Sequence, residues 1–357
     1  MNVKEPFVVA GPCSVESRDQ LVSIVESLQQ ISQVSMIRCG VWKPRTRPGG
    51  FEGLGEEALR WMSELRTESK YKDVRFACEV ARPEHVELAL KYGVHAVWIG
   101  ARTTANPFMV QELAEILRGS ELVVMVKNAP SPDVKLWMGA IERMQKAGVT
   151  SVCAVHRGFY VFKNSGYRNT PLWEVPIELR RVMPEVPIIC DPSHIAGRRE
   201  PLQQLSQTAL DLGFDGLMLE VHPCPASALT DGNQQLPPRD FEALLNGLVW
   251  RRHDENVADE KLRVLREQID RLDEQLLRVL VDRLQVSCQI AEVKQQSNMT
   301  VFQPKRWDWV LQQRMELAER LGLDSDFVKE LFEKIHTESV RTQQESINQA
   351  EGWDFKL

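Results

Sequence analysis

The chain has 357 residues, more than one ordinary domain usually contains. Its composition, 43% hydrophobic and 26% charged, is ordinary for a soluble globular protein. A net charge of −6 argues against nonspecific nucleic-acid binding but leaves anionic small substrates open, because local arginine clusters matter more than net charge.

The cysteines and the start of the chain indicate a reducing compartment. The seven cysteines are odd in number and include no Cys-x-x-Cys pair, so a disulfide framework is not expected. The opening MNVKEPFVVA lacks the apolar core of a signal peptide, and no apolar run reaches the roughly 18 residues of a membrane helix. We therefore expect a cytoplasmic protein with free thiols or thiolates and no membrane partner.

Up to about residue 250, short apolar runs alternate with longer helical patterns. The apolar runs are PFVVAG, SMIRCGVW, VRFACEV, AVWIGA, ELVVMVK, SVCAVHRG, PIICDPSH and GLMLEVHP. The helical patterns are LVSIVESLQQI, EEALRWMSELRTE, PEHVELALKYG, PFMVQELAEILRG, DVKLWMGAIERMQKAG, TPLWEVPIELRRVM, PLQQLSQTALDLG and DFEALLNGLVWRR. Eight strand-then-helix units predict an α/β fold, a TIM (β/α)8 barrel, with a doubly wound open sheet as the alternative. No Gly-x-Gly-x-x-Gly follows the first strand, which weakens a dinucleotide-binding interpretation.

A second, all-helical domain follows the barrel. Apolar residues fall at 262, 265, 269, 272, 276 and 279, and then at 286, 290 and 293. This heptad stripe predicts one helix that spans roughly 55 Å and needs a partner along its length. Two shorter helices are predicted near 305–321 and 325–347. The predicted organisation is a barrel at 1–250, a linker at 251–259 and a helical, dimerising domain at 260–357.

Polar side chains collect at the predicted carboxyl ends of the barrel strands, where TIM barrels have their active sites. If the barrel forms, one mouth is faced by Cys13, the segment 43–50, Glu79, Arg102, Lys127, His156, Arg157, His194, Glu220 and His222.

Four residues of this region are candidate metal ligands. Cys13, His194, Glu220 and Asp231 offer one sulfur, one nitrogen and two carboxylates. This mixture suits a divalent transition metal better than Ca²⁺ or Mg²⁺. On the residues alone, a packing role for Cys13 and loop hydrogen bonds for the others stay open. A nucleophilic role for Cys13 is not favoured, since no triad-like partner is evident.

The remaining residues at the mouth are cationic. They are Lys43, Arg45, Arg102, Lys127, Arg157 and Arg168. Several cations at one mouth are costly unless anions occupy it, and Arg binds phosphate in a bidentate manner. One or two of them are also open to pairing with nearby surface acids.

The motifs of residues 5 to about 245 resemble a known family. AGPCSVE, KPRT, GAR, DPSH followed by GRR, and GLMLEVHP with the later TDGNQQL are similar to those of 3-deoxy-D-arabino-heptulosonate 7-phosphate (DAHP) synthases. The similarity is greatest to the short type I beta subgroup, which is related to 3-deoxy-octulosonate 8-phosphate synthase. The resemblance implies a shikimate-pathway reaction that condenses phosphoenolpyruvate with erythrose 4-phosphate to give DAHP and phosphate.

The resemblance also implies residue roles. A divalent metal, Mn²⁺ first and Fe²⁺, Co²⁺ or Zn²⁺ as alternatives, would be bound by Cys13, His194, Glu220 and Asp231. Phosphoenolpyruvate would be held by Lys43, Arg102, Lys127, Arg157 and His194, and erythrose 4-phosphate by Arg45 and Thr46, with Glu79 near the metal. This chain departs from the family pattern at Asn128, where an Arg is usual, and at His156, where a Glu is usual.

The helical domain carries polar residues beside its apolar stripe. Arg283 interrupts the stripe, and a cation on a buried seam needs an anion. Arg266 and Lys294 lie four heptads apart on a neighbouring line, and Ser339 and Gln343 share a face of the last helix. On the residues alone, Arg283 as a register device and the other two cations as solvated flanking charges stay open.

LREQIDRLDEQLLRVLVDRLQVSCQIAEVK, with the later HTESVRTQQ, resembles the all-α chorismate mutases over about 260–347. The resemblance implies a site for chorismate or prephenate made by Arg266 of the partner chain and by Arg283, Lys294, Gln303, Arg306, Ser339 and Gln343. Trp307 stands where the family usually has a Glu, which bears on recognition of the substrate hydroxyl.

We therefore predict a bifunctional, metal-dependent enzyme, a transferase and an isomerase, with small-molecule substrates and no nucleic-acid partner. Two alternatives stay open: a helical tail that only dimerises and senses ligand, and a barrel that makes the eight-carbon sugar phosphate. The short hydrophilic linker motivates a further expectation, namely that prephenate or chorismate bound to the tail inhibits the synthase.

Overall fold

The protein was studied as a computed structural model that describes residues 7–43, 49–162, 166–251 and 260–350. The chain divides into two compact units, Met1–His253 and Asp254–Leu357. Among the described residues, no helix combines the length and apolar character that a membrane span requires.

The first unit is a closed barrel of eight parallel strands in the order β1 to β8, and β1 pairs with β8. The strands are β1 Phe7–Gly11, β2 Val34–Cys39, β3 Phe76–Val80, β4 Ala96–Ile99, β5 Val123–Lys127, β6 Val152–His156, β7 Ile188–Cys190 and β8 Gly216–Glu220. The TIM-barrel prediction is confirmed, and the open-sheet alternative is wrong because the last strand bonds to the first.

The described residues of this unit form ten α-helices. They are α1 Arg18–Leu28, α2 Glu56–Leu65, α3 Pro83–Lys91, α4 Ala101–Thr104, α5 Pro107–Ile116, α6 Val134–Lys146, α7 Glu174–Val182, α8 Pro192–Ala196, α9 Leu202–Asp211 and α10 Pro238–Asn246. Side-chain oxygens of Ser17, Asn106 and Asp133 cap the first turns of α1, α5 and α6. The short helices α4 and α8 were not predicted, and α10 ends before the predicted residues 247–252.

Alternation along the strands sorts the apolar side chains into two layers. Phe7 and Val9 point into the barrel, where they pack in one cluster with Trp98 and Met218. Residues of the opposite strand faces pack against the helices in a larger cluster. Gly216 is required where β8 pairs with β1, because a Cβ there would lie 1.9 Å from the carbonyl oxygen of Phe7.

The described residues of the second unit form three helices, α11 Glu260–Gln296, α12 Pro304–Leu321 and α13 Ser325–Ala350. Helix α13 packs on both α11 and α12. The apolar stripe of α11 remains largely exposed within the described chain, since Leu265, Ile269, Leu272 and Leu276 are between 47% and 61% exposed. This unit matches the predicted long helix followed by two shorter ones.

Candidate active sites

The carboxyl ends of the barrel strands surround a cavity of about 740 Å³. It is lined by Lys43, Glu79, Trp98, Gly100, Ala101, Arg102, Lys127, Pro130, Arg157, Tyr160, Arg168, Asn169, His194 and Asp231. Most of the polar residues predicted from the sequence therefore meet at one mouth. Arg45 and Thr46 lie outside the described residues.

Three of the four candidate metal ligands converge beside this cavity, and the fourth, His194, approaches one of them. One ligand atom from each of Cys13, Glu220 and Asp231 lies within 4.8 Å of the others. The Cys13 Sγ is 3.5 Å from Asp231 Oδ2, and His194 Nε2 is 3.8 Å from Glu220 Oε1. Cys13 follows β1 and Glu220 ends β8, and barrel closure, which pairs these two strands, brings the two residues together.

His194 is oriented by Asp191, the residue that directly follows β7. The Asp191 Oδ2 lies 2.8 Å from His194 Nδ1, and Asp191 Oδ1 accepts a hydrogen bond from the His194 backbone N–H. Burial lowers the pKa of His194, although Asp191 opposes this effect. A neutral imidazole that directs Nδ1 to a carboxylate leaves its Nε2 lone pair on the Glu220 side, as metal-binding histidines usually do.

Burial and the nearby Glu220 carboxylate raise the pKa of the Cys13 thiol to about 12. A divalent cation at this point would favour the thiolate, since metals deprotonate coordinating thiols. The sulfur, imidazole and carboxylate donors fit a divalent transition metal by their chemistry. The arrangement of these donors is therefore that of a candidate metal site.

Arg38 is a residue of this site that the sequence analysis missed. Its Nη2 donates to Glu220 Oε1 at 2.9 Å, and both side chains are at most 1% exposed. The guanidinium lies 5.0 Å from the centre of the Trp98 ring. Its Nε and Nη1 have no hydrogen-bond partner among the described residues. The available signal was a lone cation within the apolar run SMIRCGVW of β2.

Lys127, at the end of β5, is the second buried cation. Its Nζ donates to Asp191 Oδ2 at 2.7 Å and lies 5.7 Å from the Trp98 ring. Burial lowers the pKa of Lys127. Asp191 thus contacts both Lys127 and His194, and these two neighbours keep the pKa of Asp191 well below its usual range although burial opposes this.

Arg157, which follows β6, lies in a region of excess positive charge. Burial and the neighbouring Arg168 and Arg102 lower the pKa of Arg157 to about 10, with Asp191 acting in the opposite direction. Lys43 faces the acidic side, where Cys13, Glu79 and Glu220 raise its pKa against the effect of burial. An anion in the cavity would relieve the repulsion among the arginines.

Two asparagines hold Arg157 in place. Asn128 accepts a hydrogen bond from the Arg157 backbone N–H at 2.7 Å and donates to the carbonyl oxygen of Gly158 at 2.8 Å. Asn169 accepts from Arg157 Nη1 at 2.8 Å and donates to the carbonyl oxygen of His194 at 2.7 Å. Asn128, a departure from the family pattern, therefore ties the end of β5 to the backbone after β6.

Arg168 bridges to the opposite side of the mouth. Its Nη1 lies 3.1 Å from Asp231 Oδ1 and 2.8 Å from Gln234 Oε1. Gln234 also donates to Glu220 Oε2 at 2.6 Å. These contacts place one predicted cation against one predicted metal ligand.

The expectation that His156 and His222 face the mouth is wrong. Strand alternation turns Val155 into the barrel, so His156 points outward into a cluster of Trp137, Phe159, Trp173 and Phe214. Burial there lowers the pKa of His156 to about 3. His222 is instead buried 3.6 Å from Glu16 and does not line the cavity.

The helical unit has its own polar cluster between α11 and α13. Arg283 Nη1 donates to the Ser339 hydroxyl, and Lys294 Nζ donates to Gln343 Oε1 at 3.1 Å. Lys294 also donates to the carbonyl oxygen of Val301. Four of the predicted residues therefore meet.

These contacts do not involve the other three predicted residues. Gln303 is the residue before α12, and Arg306 places its guanidinium 4.4 Å from the Trp309 ring. Arg266 lies on α11 about 25 Å along the helix axis from Arg283, at 1.5 Å per residue. One chain therefore does not bring Arg266 to the cluster.

Comparisons with known proteins assign each unit to a family model. Residues 3–255 match the DAHP synthetase I family, and residues 265–344 match chorismate mutase type II. A phospho-2-dehydro-3-deoxyheptonate aldolase of Thermotoga maritima is 32% identical over 235 residues, which cover 66% of this chain and 65% of that protein. The chain thus spans just under two thirds of that relative.

Two further comparisons concern the barrel. A 2-dehydro-3-deoxyphosphooctonate aldolase of Rhodopseudomonas palustris is 27% identical over 271 residues, covering 68% of this chain and 86% of that protein. The crystal structure of the Thermotoga maritima phospho-2-dehydro-3-deoxyheptonate aldolase (DAHP synthase) superposes with a TM-score of 0.59 at 30% identity, covering 68% of this chain and 67% of that one.

Proposed function

The chain belongs to the DAHP synthetase I family over residues 3–255 and carries a chorismate mutase type II domain over 265–344, and from this premise we propose a bifunctional shikimate-pathway enzyme. The barrel would condense phosphoenolpyruvate with erythrose 4-phosphate to give DAHP and inorganic phosphate. The helical domain would rearrange chorismate to prephenate.

The observation that carries the barrel proposal is the cationic side of the cavity. Arg102, Arg157 and Arg168 are close enough for the first and third to lower the pKa of the second. Lys127 lies in the same cavity. A ligand with both phosphate and carboxylate groups, as in phosphoenolpyruvate, would supply the anions that these groups need.

We propose that Cys13, His194, Glu220 and Asp231 hold a divalent metal beside this ligand. A metal bound there would act as a Lewis acid toward the aldehyde of the sugar phosphate. Mn²⁺ is the first candidate, and Fe²⁺, Co²⁺ and Zn²⁺ also suit these donors. The support is the convergence of the ligand atoms within a few ångströms and the Asp191 contact that orients His194.

The chain's own residues would position and neutralise the two substrates. In the reaction, C3 of phosphoenolpyruvate bonds to the aldehyde carbon, water adds at C2, and phosphate leaves. Lys127 and Arg157 would hold the enol phosphate, while Lys43 lies between that side and the acidic residues. Arg45 and Thr46 would bind the phosphate of the aldehyde. Fixed positive charge around a polyanionic transition state is the main catalytic contribution expected here.

The test is the formation of DAHP and phosphate from phosphoenolpyruvate and erythrose 4-phosphate, after chelation and after restoring Mn²⁺. Activity lost on chelation and regained with metal is expected. The similarity to the octonate aldolase favours a second candidate, which would use arabinose 5-phosphate instead. A comparison of kcat/KM for the two aldehydes decides between them, and we expect erythrose 4-phosphate to be preferred.

For the helical domain, we propose that Arg283 binds a carboxylate of chorismate and that Lys294 and Gln343 hydrogen-bond its ether oxygen. Negative charge grows on that oxygen as the bond breaks, so fixed donors stabilise the transition state. The support is the contact of Lys294 with Gln343 and of Arg283 with Ser339. Arg283→Ala should abolish the loss of chorismate absorbance; a wild-type chain that leaves chorismate unchanged would instead favour a domain that only senses ligand.

We also propose a dimer and feedback through the helical domain. The exposed apolar stripe of α11 is long enough to pair with the same stripe of a second copy, which would bring the partner's Arg266 to the Arg283 cluster. Prephenate or chorismate bound there would inhibit the synthase. Synthase rates measured with and without prephenate on the intact chain test the feedback, and sedimentation analysis tests the dimer.

A further inference from the structure

One aromatic contact of the helical domain has no role in the scheme above. The ring of His336 on α13 stacks on Trp307 of α12, with ring centroids 3.9 Å apart and an interplanar angle of 27°. Phe302 meets the same imidazole edge-on at 5.7 Å. Two aromatic side chains therefore fix the plane of this imidazole.

His336 belongs to the face of α13 that carries the polar cluster. It lies one helical turn before Ser339 and two turns before Gln343, so the three side chains share one side of the helix. Ser339 contacts Arg283, and Gln343 contacts Lys294. The imidazole is thus positioned at the border of the proposed chorismate pocket.

The surroundings of this imidazole disfavour its protonation. Burial, together with the positive charges of Arg283 and Lys294, lowers the pKa of His336. A neutral imidazole presents one N–H donor and one lone-pair acceptor, whereas the indole of Trp307 offers only a donor. His336 is therefore suited to hydrogen-bond a neutral hydroxyl group of a ligand, whereas the neighbouring Arg283 and Lys294 are suited to bind anionic groups.

We propose that His336, held by Trp307, contacts the ring hydroxyl of chorismate and makes the mutase pocket selective for a hydroxyl-bearing dicarboxylate. This inference rests on the proposed mutase function. The arginine and lysine side chains would bind the carboxylates and the ether oxygen, and the imidazole would satisfy the remaining polar group of the substrate. A buried polar group left unpaired is costly, which is why one such contact yields selectivity.

The experiment compares chorismate with its 4-deoxy analogue, in which hydrogen replaces the ring hydroxyl, on the intact chain. His336→Phe retains a ring for the stack but removes both polar nitrogens. It should lower kcat/KM for chorismate about 10–100-fold and change that for the deoxy analogue less than about threefold. His336→Gln, which restores a donor and an acceptor, should recover most of the loss. Thr337→Ala is the matched control, because the Thr337 hydroxyl is exposed and bonded to the Glu333 carbonyl.

Affinities of both compounds, followed by tryptophan fluorescence, are measured on the same variants. A wild-type chain that binds chorismate but does not rearrange it would overturn the mutase activity alone, and the relative affinities would still decide the role of His336. Equal effects of His336→Phe on the two compounds would show a purely structural role. If kcat/KM and the affinity for chorismate were both unchanged in His336→Phe, the proposal would also be overturned.

Discussion

The ion pair between Arg38 and Glu220 provides a sharp test of the barrel's interior. Arg38→Met keeps a long side chain beside Trp98 but leaves the Glu220 carboxylate buried without its cation. Breaking a buried pair in this way costs about 3–5 kcal/mol. Gln234 still donates to Glu220 at 2.6 Å, so we expect the lower end, about 3 kcal/mol.

The free energy of unfolding is measured by urea titration in the presence of a chelator, so that no added metal compensates the carboxylate. In calorimetry, the same loss corresponds to a decrease in Tm of about 6–12 °C for a barrel of this size. The matched control is Lys91→Met, which removes an ion pair to Glu56 of similar length, 2.8 Å, whose side chains are 60% and 49% exposed. We expect that control to unfold like the wild type, since exposed pairs contribute little.

A second variant distinguishes a lost charge pair from lost packing. In Arg38→Met/Glu220→Leu neither charge of this pair remains, so most of the stability should return, because replacing a whole buried pair by apolar groups is often neutral. A free energy of unfolding of Arg38→Met within about 1 kcal/mol of the wild-type value would contradict the cost assigned to the broken pair. A double variant as unstable as the single one would also contradict it.

Three other outcomes are expected. Asp191→Asn should lower the affinity for Mn²⁺ about 10–100-fold, since it alters the group that orients His194. An unchanged dissociation constant for Mn²⁺, measured by equilibrium dialysis, would contradict this. Asn128→Ala should raise KM for phosphoenolpyruvate about tenfold with a smaller change in kcat, because it frees the backbone of Arg157, which we propose binds the phosphate; a fall in kcat alone would count against that role. Gly216→Ala should yield no folded barrel, since its Cβ would lie 1.9 Å from a β1 carbonyl oxygen. Gly139 on α6 has open space beside it, so Gly139→Ala should instead stabilise the protein by about 0.5–1 kcal/mol. Thermal unfolding of the two variants, followed by circular dichroism, checks both predictions.

The fold of the barrel and the long helix of the second unit follow from the local pattern of apolar residues, so the sequence was enough to predict them. Eight apolar runs separated by amphipathic segments specify parallel strands covered by helices, and the TIM barrel was confirmed. The heptad stripe likewise predicted the long helix Glu260–Gln296. Each signal depends on periodicities of two or about 3.6 residues, which neighbouring positions in the chain carry by themselves.

The side on which a strand residue points depends instead on register within the closed barrel. His156 was expected at the mouth, but the alternation that turns Val155 inward turns His156 into an aromatic cluster outside the strands. The predicted helix after β8 was too long: α10 ends at Asn246, and the next residue, Gly247, has a low helix propensity.

The amino-acid sequence by itself determined the ordered motifs with Cys13 and Glu220, and hence the family to which the barrel belongs. Only the tertiary structure showed that Glu220 is paired with Arg38, which is 182 residues away in the chain, and that Asn128 holds the backbone of Arg157. The physical reason is that such contacts arise from barrel closure and strand register. Those are properties of the whole sheet, and no local periodicity encodes them.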